Sequence, residues 1–178
     1  MKDFDQIPAH RRLLIVSADD FGLSPGVCEA ILQAGEHGIV TSVSALVVAP
    51  AWDSYASRLE SSGLGVGAHL CLVGEDPPLL TGDEVPTLVD SAGRLFPSWR
   101  QLILAVVRGR VDLDDVRREC GAQLEKLAQS GIVASHFDAH QHVHLWPQLS
   151  HTLLSLAAEH SIDAVRATDA EGFTPRAV

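Results

Sequence analysis

A parallel α/β fold is what this 178-residue sequence predicts, and three observations predict it. Short apolar runs rich in β-branched residues recur along the chain. Each is followed by a segment of helical spacing with its own start and stop signals. Polar, metal-competent residues gather where the apolar runs end. Alternation of this kind builds a parallel sheet with helices packed on it. In such folds, barrels and open sheets alike, functional side chains stand at the carboxyl ends of the strands.

The elements follow in order. Leu13 to Ala18 reads as a buried strand. Ser24-Pro25 marks a helix start, with Ser as N-cap and Pro at the first helical position, and Gly38 ends that helix near His37. Val40 to Val48 is a second strand, Pro50 opens a helix to about Ser61, and Gly63 to Leu72 is a third strand. The glycines of that strand do not have the G-x-G-x-x-G arrangement between strand and helix, so a dinucleotide loop is excluded. Val73 to Pro97 is a long irregular connection of the kind that serves as a lid or binding loop, with a small hairpin expected around Asp90–Gly93. Helices are expected over Ser98–Val107 and Asp112–Gln129. The second carries Val116, Cys120, Leu124 and Leu127 at helical spacing and an acidic first turn. Ile132 to Asp138 is a fourth strand, Pro147 to His160 a helix, and Ile162 to Arg166 a fifth strand.

Composition narrows the function. With 46% hydrophobic and 20% charged residues the chain is a folded domain, and a net charge of −10 excludes a nucleic-acid-binding surface. No window reaches the roughly 18 apolar residues of a membrane span, and residues 1–12 do not form a signal peptide. Three cysteines without C-x-x-C spacing argue against a disulfide framework and for a cytoplasmic location.

The chemistry-bearing residues sit at three strand ends. Asp19 and Asp20 follow the first apolar run. Adjacent carboxylates there are costly unless a cation compensates them, although a capped turn would also use Asp. His69 lies near the end of the third strand, where a hydrogen-bonded core histidine is the alternative. His136-Phe-Asp138-Ala-His140-Gln-His142-Val-His144 is the strongest signal: five metal-competent residues at spacing two, which a continuing strand would place on one face. Trp146-Pro147 ends the strand before all five can reach one ion. One carboxylate and two imidazoles with open positions suit a catalytic divalent ion. Arg166, at the end of the fifth strand, is expected to contact substrate, to pair with the acidic site, or to be an ordinary strand-end arginine.

The segments LLIVSADDFGLSPGV (13–27), GIVTSVSALV (38–47), VGAHLCL (66–72), LVDSAGRLF (88–96) and HFDAHQHVHLWP (136–147) resemble those of the YdjC-like carbohydrate deacetylases. That group includes chitooligosaccharide deacetylases and hopanoid-biosynthesis-associated deacetylases. The similarity extends from about residue 12 to about 168, and the 90–96 segment looks most like the hopanoid-associated branch. The resemblance implies a distorted (β/α) barrel of the glycoside hydrolase/deacetylase type. It also implies metal-dependent hydrolysis of an N-acetyl group on an amino sugar, in a chitooligosaccharide or a glycolipid headgroup. By family pattern Asp20, His69 and His140 hold the divalent ion and Asp19 is the catalytic base. Asp138, His142, His144 and Arg166 are expected to support a ligand or contact substrate. Magnesium is the family-style metal, whereas two imidazoles favour Zn²⁺, Ni²⁺ or Fe²⁺.

A barrel needs around 250 residues, so the expected architecture is one domain over 1–178, a C-terminally truncated barrel with a flexible segment at 1–11. A second copy covering the open barrel edge is an expected partner. The family's later His-Pro motif, whose histidine resembles the general acid, does not occur in these 178 residues. The competing readings are therefore a non-catalytic metal- or carbohydrate-binding remnant and, more weakly, a phosphoesterase, which would bring more Lys and Arg to the site.

Overall fold

The computed structural model describes residues 14–74 and 76–167; the expected flexible segment 1–11 lies outside them. Four parallel strands lie side by side in chain order: β1 (Ser17–Phe21), β2 (Ser42–Ala45), β3 (Gly65–Leu70) and β4 (His136–Ala139). They alternate with α1 (Pro25–Glu36), α2 (Trp52–Glu60), α3 (Trp99–Val107), α4 (Leu113–Gln129) and α5 (Pro147–Glu159). No helix among the described residues is long and apolar enough to cross a membrane.

Helix starts follow their local chemistry. Ser24 is extended at the N-cap of α1, its Oγ accepting the Val27 N–H at 3.3 Å, with Pro25 in the first turn. Asp112 caps α4 by accepting the Asp114 N–H at 2.9 Å, and Asp114 and Asp115 make its first turn acidic. The 90–93 turn closes a hairpin through an Asp90–Arg94 backbone bond and an antiparallel Val89–Leu95 bridge.

The strands are shorter than the apolar runs that announce them. Leu14 and Ile15 do not lie in a buried strand: β1 starts at Ser17, and the two side chains are 76% and 71% exposed. Among the described residues β1 is a sheet edge, so its approach is covered from one side only. The expected fifth strand is a single parallel bridge, Phe137 to Val165. The Phe137 N–H donates to Ala164 O (3.0 Å) and the Arg166 N–H to Phe137 O (3.1 Å). Short as it is, that bridge fixes Arg166 against β4.

Period-two alternation sorts the sheet into two chemically distinct faces. Val43, Ala45, Val66, Ala68, Leu70, Phe137 and Ala139 are buried in the apolar core that the helices complete. The opposite face carries Ser17, Asp19, Ser42, Ser44, Gly65, Gly67, His69, His136 and Asp138. Its small residues make room for its large ones. A Cβ on Gly67 would lie 2.3 Å from His136 Nε2, so only glycine admits that imidazole. The functional end of the sheet is thus a polar face, walled by backbone and small side chains.

Helix α4 adds a feature that charge patterning hides. Besides its expected apolar stripe it buries Asp115, Glu119 and Gln123, spaced one turn apart. Glu119 accepts the N–H groups of Leu79 (2.9 Å) and Leu80 (3.0 Å) and the Gln123 amide (2.8 Å). Gln123 brackets the Cys71 backbone at 2.8 Å on both sides, and Asp115 accepts from the N–H and hydroxyl of Thr87. These carboxylates do for the 71–98 connection what a sheet partner would do, by satisfying its buried N–H groups. Glu119→Leu takes the acceptor from the part-buried Leu79 and Leu80 N–H groups and from one N–H of the buried Gln123 amide, each unmade bond costing about 1–3 kcal/mol. Urea denaturation is expected to show a loss of at least ~3 kcal/mol, whereas replacement of exposed Glu125 in the same helix should change stability little.

Candidate metal centre

The centre begins with an irregularity in β1. Strict alternation would turn Asp20 toward the helix-covered face. Instead the β1–β2 register slips between Ala18 and Phe21, and Asp20 adopts a left-handed backbone, φ 62°. A bulge re-aims a side chain, and Asp is among the few non-glycine residues that tolerate this conformation. Its carboxylate now points at two imidazoles, Oδ1 lying 3.0 Å from His140 Nδ1 and 3.3 Å from His69 Nε2.

His69 is oriented from behind. It is 3% exposed, and its Nδ1–H donates to Asp138 Oδ1 at 2.7 Å. That bond fixes the tautomer and leaves Nε2 as the donor atom facing Asp20 and His140, the usual carboxylate–histidine support of a metal ligand. Asp138 is held in turn by Ser44 Oγ (3.0 Å) and by the Arg166 guanidinium (2.7 Å).

The five-residue alternation does not continue as a strand. β4 stops at Ala139, and His140–Leu145 forms a tight 3₁₀ segment in which Gln141 and His142 both take left-handed backbone angles, φ 54° and 57°. The single face expected from spacing is therefore broken up. Only His140 joins Asp20 and His69. Asp138 stands behind His69, and His142 is exposed. His136 sits over Gly67, deeper on the same face. His144 turns inward: its Nδ1 accepts the Ala139 N–H (3.1 Å) and its Nε2–H donates to the Arg166 carbonyl (2.9 Å). Both nitrogens are engaged in a way that requires the neutral ring, and burial lowers its pKa in the same direction.

Asp19 faces Arg166 in a bidentate pair, with both oxygens at 2.7 Å from guanidinium nitrogens. Arg166 also reaches Ser17 Oγ (2.9 Å) and Ser44 Oγ (3.3 Å). One guanidinium thus links Asp19 to Asp138, and through Asp138 to His69. Of the three expectations for Arg166, the structure shows the pairing with the acidic site. Ser44 was missed in the sequence. Its signal was the polar alternation Ser42, Ser44 inside a buried strand.

Asp20, His69 and His140 offer three donor atoms within 4.8 Å of one another, with separations of 3.0, 3.3 and 3.3 Å. Metal–ligand bonds near 2.0–2.2 Å require donor separations of about 3.0 Å in an octahedral site and about 3.4 Å in a tetrahedral one. The triangle fits either. Charge fits as well: Asp19, Asp20 and Asp138 against Arg166 leave a formal −2 with neutral imidazoles, which a divalent cation cancels.

Protons compete for the same atoms. Hydrogen bonds from His140 and His69 hold the Asp20 carboxyl well below the usual carboxylate range. Burial pulls the His69 pKa down, but its bonds to Asp138 and Asp20 outweigh that and push it from 6.5 up to about 9. A raised pKa stabilises the fold fully below 6.5 and loses that contribution as pH climbs through about 9. The Asp20 contribution is complete above 3.8 and is lost only in strong acid. In chelator, calorimetry is therefore expected to give a lower Tm at pH 9 than at pH 6.5. Saturating Zn²⁺ should remove or reverse the difference, because the ion displaces the His69 proton.

Comparison with known proteins places this geometry. The family model described as YdjC-like protein matches residues 13–177. "Carbohydrate deacetylase 1" of Listeria innocua is 37% identical over 161 residues, covering 90% of this chain and 63% of that protein. The carbohydrate deacetylase of Brevibacillus brevis is 36% identical over 150 residues, covering 84% and 57%. A crystal structure from Enterococcus faecalis V583, of a protein named for cellobiose-phosphate cleavage, superposes with a TM-score of 0.74 at 32% identity, covering 88% of this chain and 59% of that one. The chain spans about three-fifths of the length of the curated relatives it matches. With the parallel α/β fold shared and nearly the whole chain matched, this protein belongs to the YdjC-like family.

Proposed function

We propose that the chain is a metal-dependent carbohydrate N-deacetylase that removes the acetyl group from an N-acetylated amino sugar, a chitooligosaccharide or a glycolipid headgroup. We read its four-stranded sheet and Arg166 bridge as the first part of a (β/α) barrel. Convergence of Asp20, His69 and His140 on one point, with Asp19 next to Asp20 in the chain, carries the reading. The names of the Listeria and Brevibacillus relatives support the substrate class.

Asp20, His69 and His140 would hold the ion, which supplies a Lewis acid for water and for the acetyl oxygen. The protein's own groups do the rest. Asp19 takes the proton of the attacking water and gives it to the sugar nitrogen as the C–N bond breaks, so that acetate and the free amine leave. Arg166 holds both Asp19 oxygens and so fixes where that base stands. Asp138 keeps His69 in the tautomer that turns Nε2 forward. His144 fixes the Arg166 backbone from below. The donor set, two imidazoles and one carboxylate, favours Zn²⁺, Ni²⁺ or Fe²⁺ over Mg²⁺.

The test is product identity. The chain, reloaded separately with Zn²⁺, Mg²⁺, Ni²⁺ or Co²⁺, is expected to release acetate from N-acetylglucosamine oligomers or a glycolipid analogue. Release of phosphate from a sugar phosphate, without acetate from the amides, would replace the deacetylase reading with a phosphoesterase.

A further inference from the structure

Trp99 is the one large aromatic side chain that the helical pattern calls buried and the structure leaves open among the described residues. In α3, Trp99, Leu102, Ile103 and Val106 form one stripe at i, i+3, i+4 and i+7. Leu102 and Ile103 are buried and Val106 packs on the core, yet Trp99 is 44% exposed. The reason is its neighbour. Trp99 begins the helix beside the 3₁₀ segment, and its backbone N–H donates to Gln141 Oε1 at 2.9 Å. Gln141 is next in sequence to His140, the donor at the centre's outer side. The indole is stiffened by the Arg100 guanidinium, 5.3 Å from its ring centroid, and His142 and Leu145 stand exposed on the same segment. The helix that carries this apolar plane is thus tied at its first residue to the segment that supplies His140, where Gln141 and His142 take left-handed backbone angles.

We propose that Trp99 is the platform of an outlying sugar subsite: a pyranose ring lays its axial C–H face on the indole while the neighbouring N-acetylated ring occupies the metal centre. This rests on the carbohydrate deacetylase reading and adds to it a preference for oligosaccharides over the single sugar. A flat aromatic surface fits the C–H face of a pyranose and gives nothing to a small acetylated amine, so the effect of Trp99 must grow with chain length.

Calorimetric titration of the Zn²⁺-loaded Asp19→Asn chain, in which turnover is suppressed, with N-acetylglucosamine and with its trisaccharide tests this. Trp99→Ala is expected to weaken trisaccharide binding about tenfold and monosaccharide binding less than twofold, with Trp99→Phe in between and Zn²⁺ stoichiometry unchanged in both. Trp fluorescence should shift on trisaccharide addition in the parent and not in Trp99→Phe. An equal loss for both sugars, or none for the trisaccharide, would overturn the subsite. Length-dependent binding through Trp99 without any acetate release by the chain that keeps Asp19 would instead overturn the deacetylase reading and leave the subsite standing.

Discussion

His140→Ala is expected to abolish stoichiometric binding of a divalent ion, with affinity falling by a thousandfold or more, and to abolish acetate release with it. His140 supplies the third vertex of the donor triangle, and it alone comes from beyond the end of a strand. Removing it leaves Asp20 Oδ1 and His69 Nε2, two ligands 3.3 Å apart, too few for a tight catalytic site. The fold should survive, since the His140 side chain is partly exposed and its contacts lie within the cluster. Loss of the ion with an unchanged circular dichroism spectrum is the expected signature. His144→Ala should behave in the opposite way. It removes both a bond to the Ala139 N–H and one to the Arg166 carbonyl, so stability falls before metal affinity does.

Asp19→Asn is expected to retain the ion and to lower kcat by about 10²–10⁴, the usual contribution of a positioned general base. The amide keeps one acceptor for Arg166 but cannot take a proton. It also turns an NH₂ group toward a guanidinium nitrogen, so the bidentate pair is lost. The kinetic signature separates this variant from ligand variants: kcat falls at saturating metal, and added metal does not rescue it. Arg166→Lys is the complementary substitution. A lysine can reach one carboxylate but cannot bridge Asp19 and Asp138 together.

The paired carboxylates and His69 were legible because strand-end chemistry in a parallel fold follows from short-range patterns. What spacing could not resolve was direction. Nothing local in Asp19-Asp20 announces a left-handed Asp20, because the bulge is set by pairing with β2. Spacing tells that not all five metal-competent residues of the 136–144 run can reach one ion, but not which; they are sorted by Gln141 and His142, two left-handed residues with no glycine to signal them. The fifth strand was visible as an apolar segment, but only the bridge at Val165 pairs. Nothing in the spacing of α4 singles out Glu119 or Asp115 as buried. Their burial depends on a connection some 30–40 residues away that needs their oxygens. The family resemblance points to His140 among the histidines, and the coordinates bring it beside Asp20 and His69.

The most direct test of the central claim is acetate release from an N-acetylglucosamine oligomer by metal-free chain as Zn²⁺ is added in fractions of an equivalent. The account predicts that release starts from zero, rises in proportion to bound ion and levels off at one equivalent. It also predicts that His140→Ala stays at zero throughout. No release from parent chain carrying one equivalent of ion bound through His140 would contradict it, and would leave a metal-binding domain without the hydrolysis.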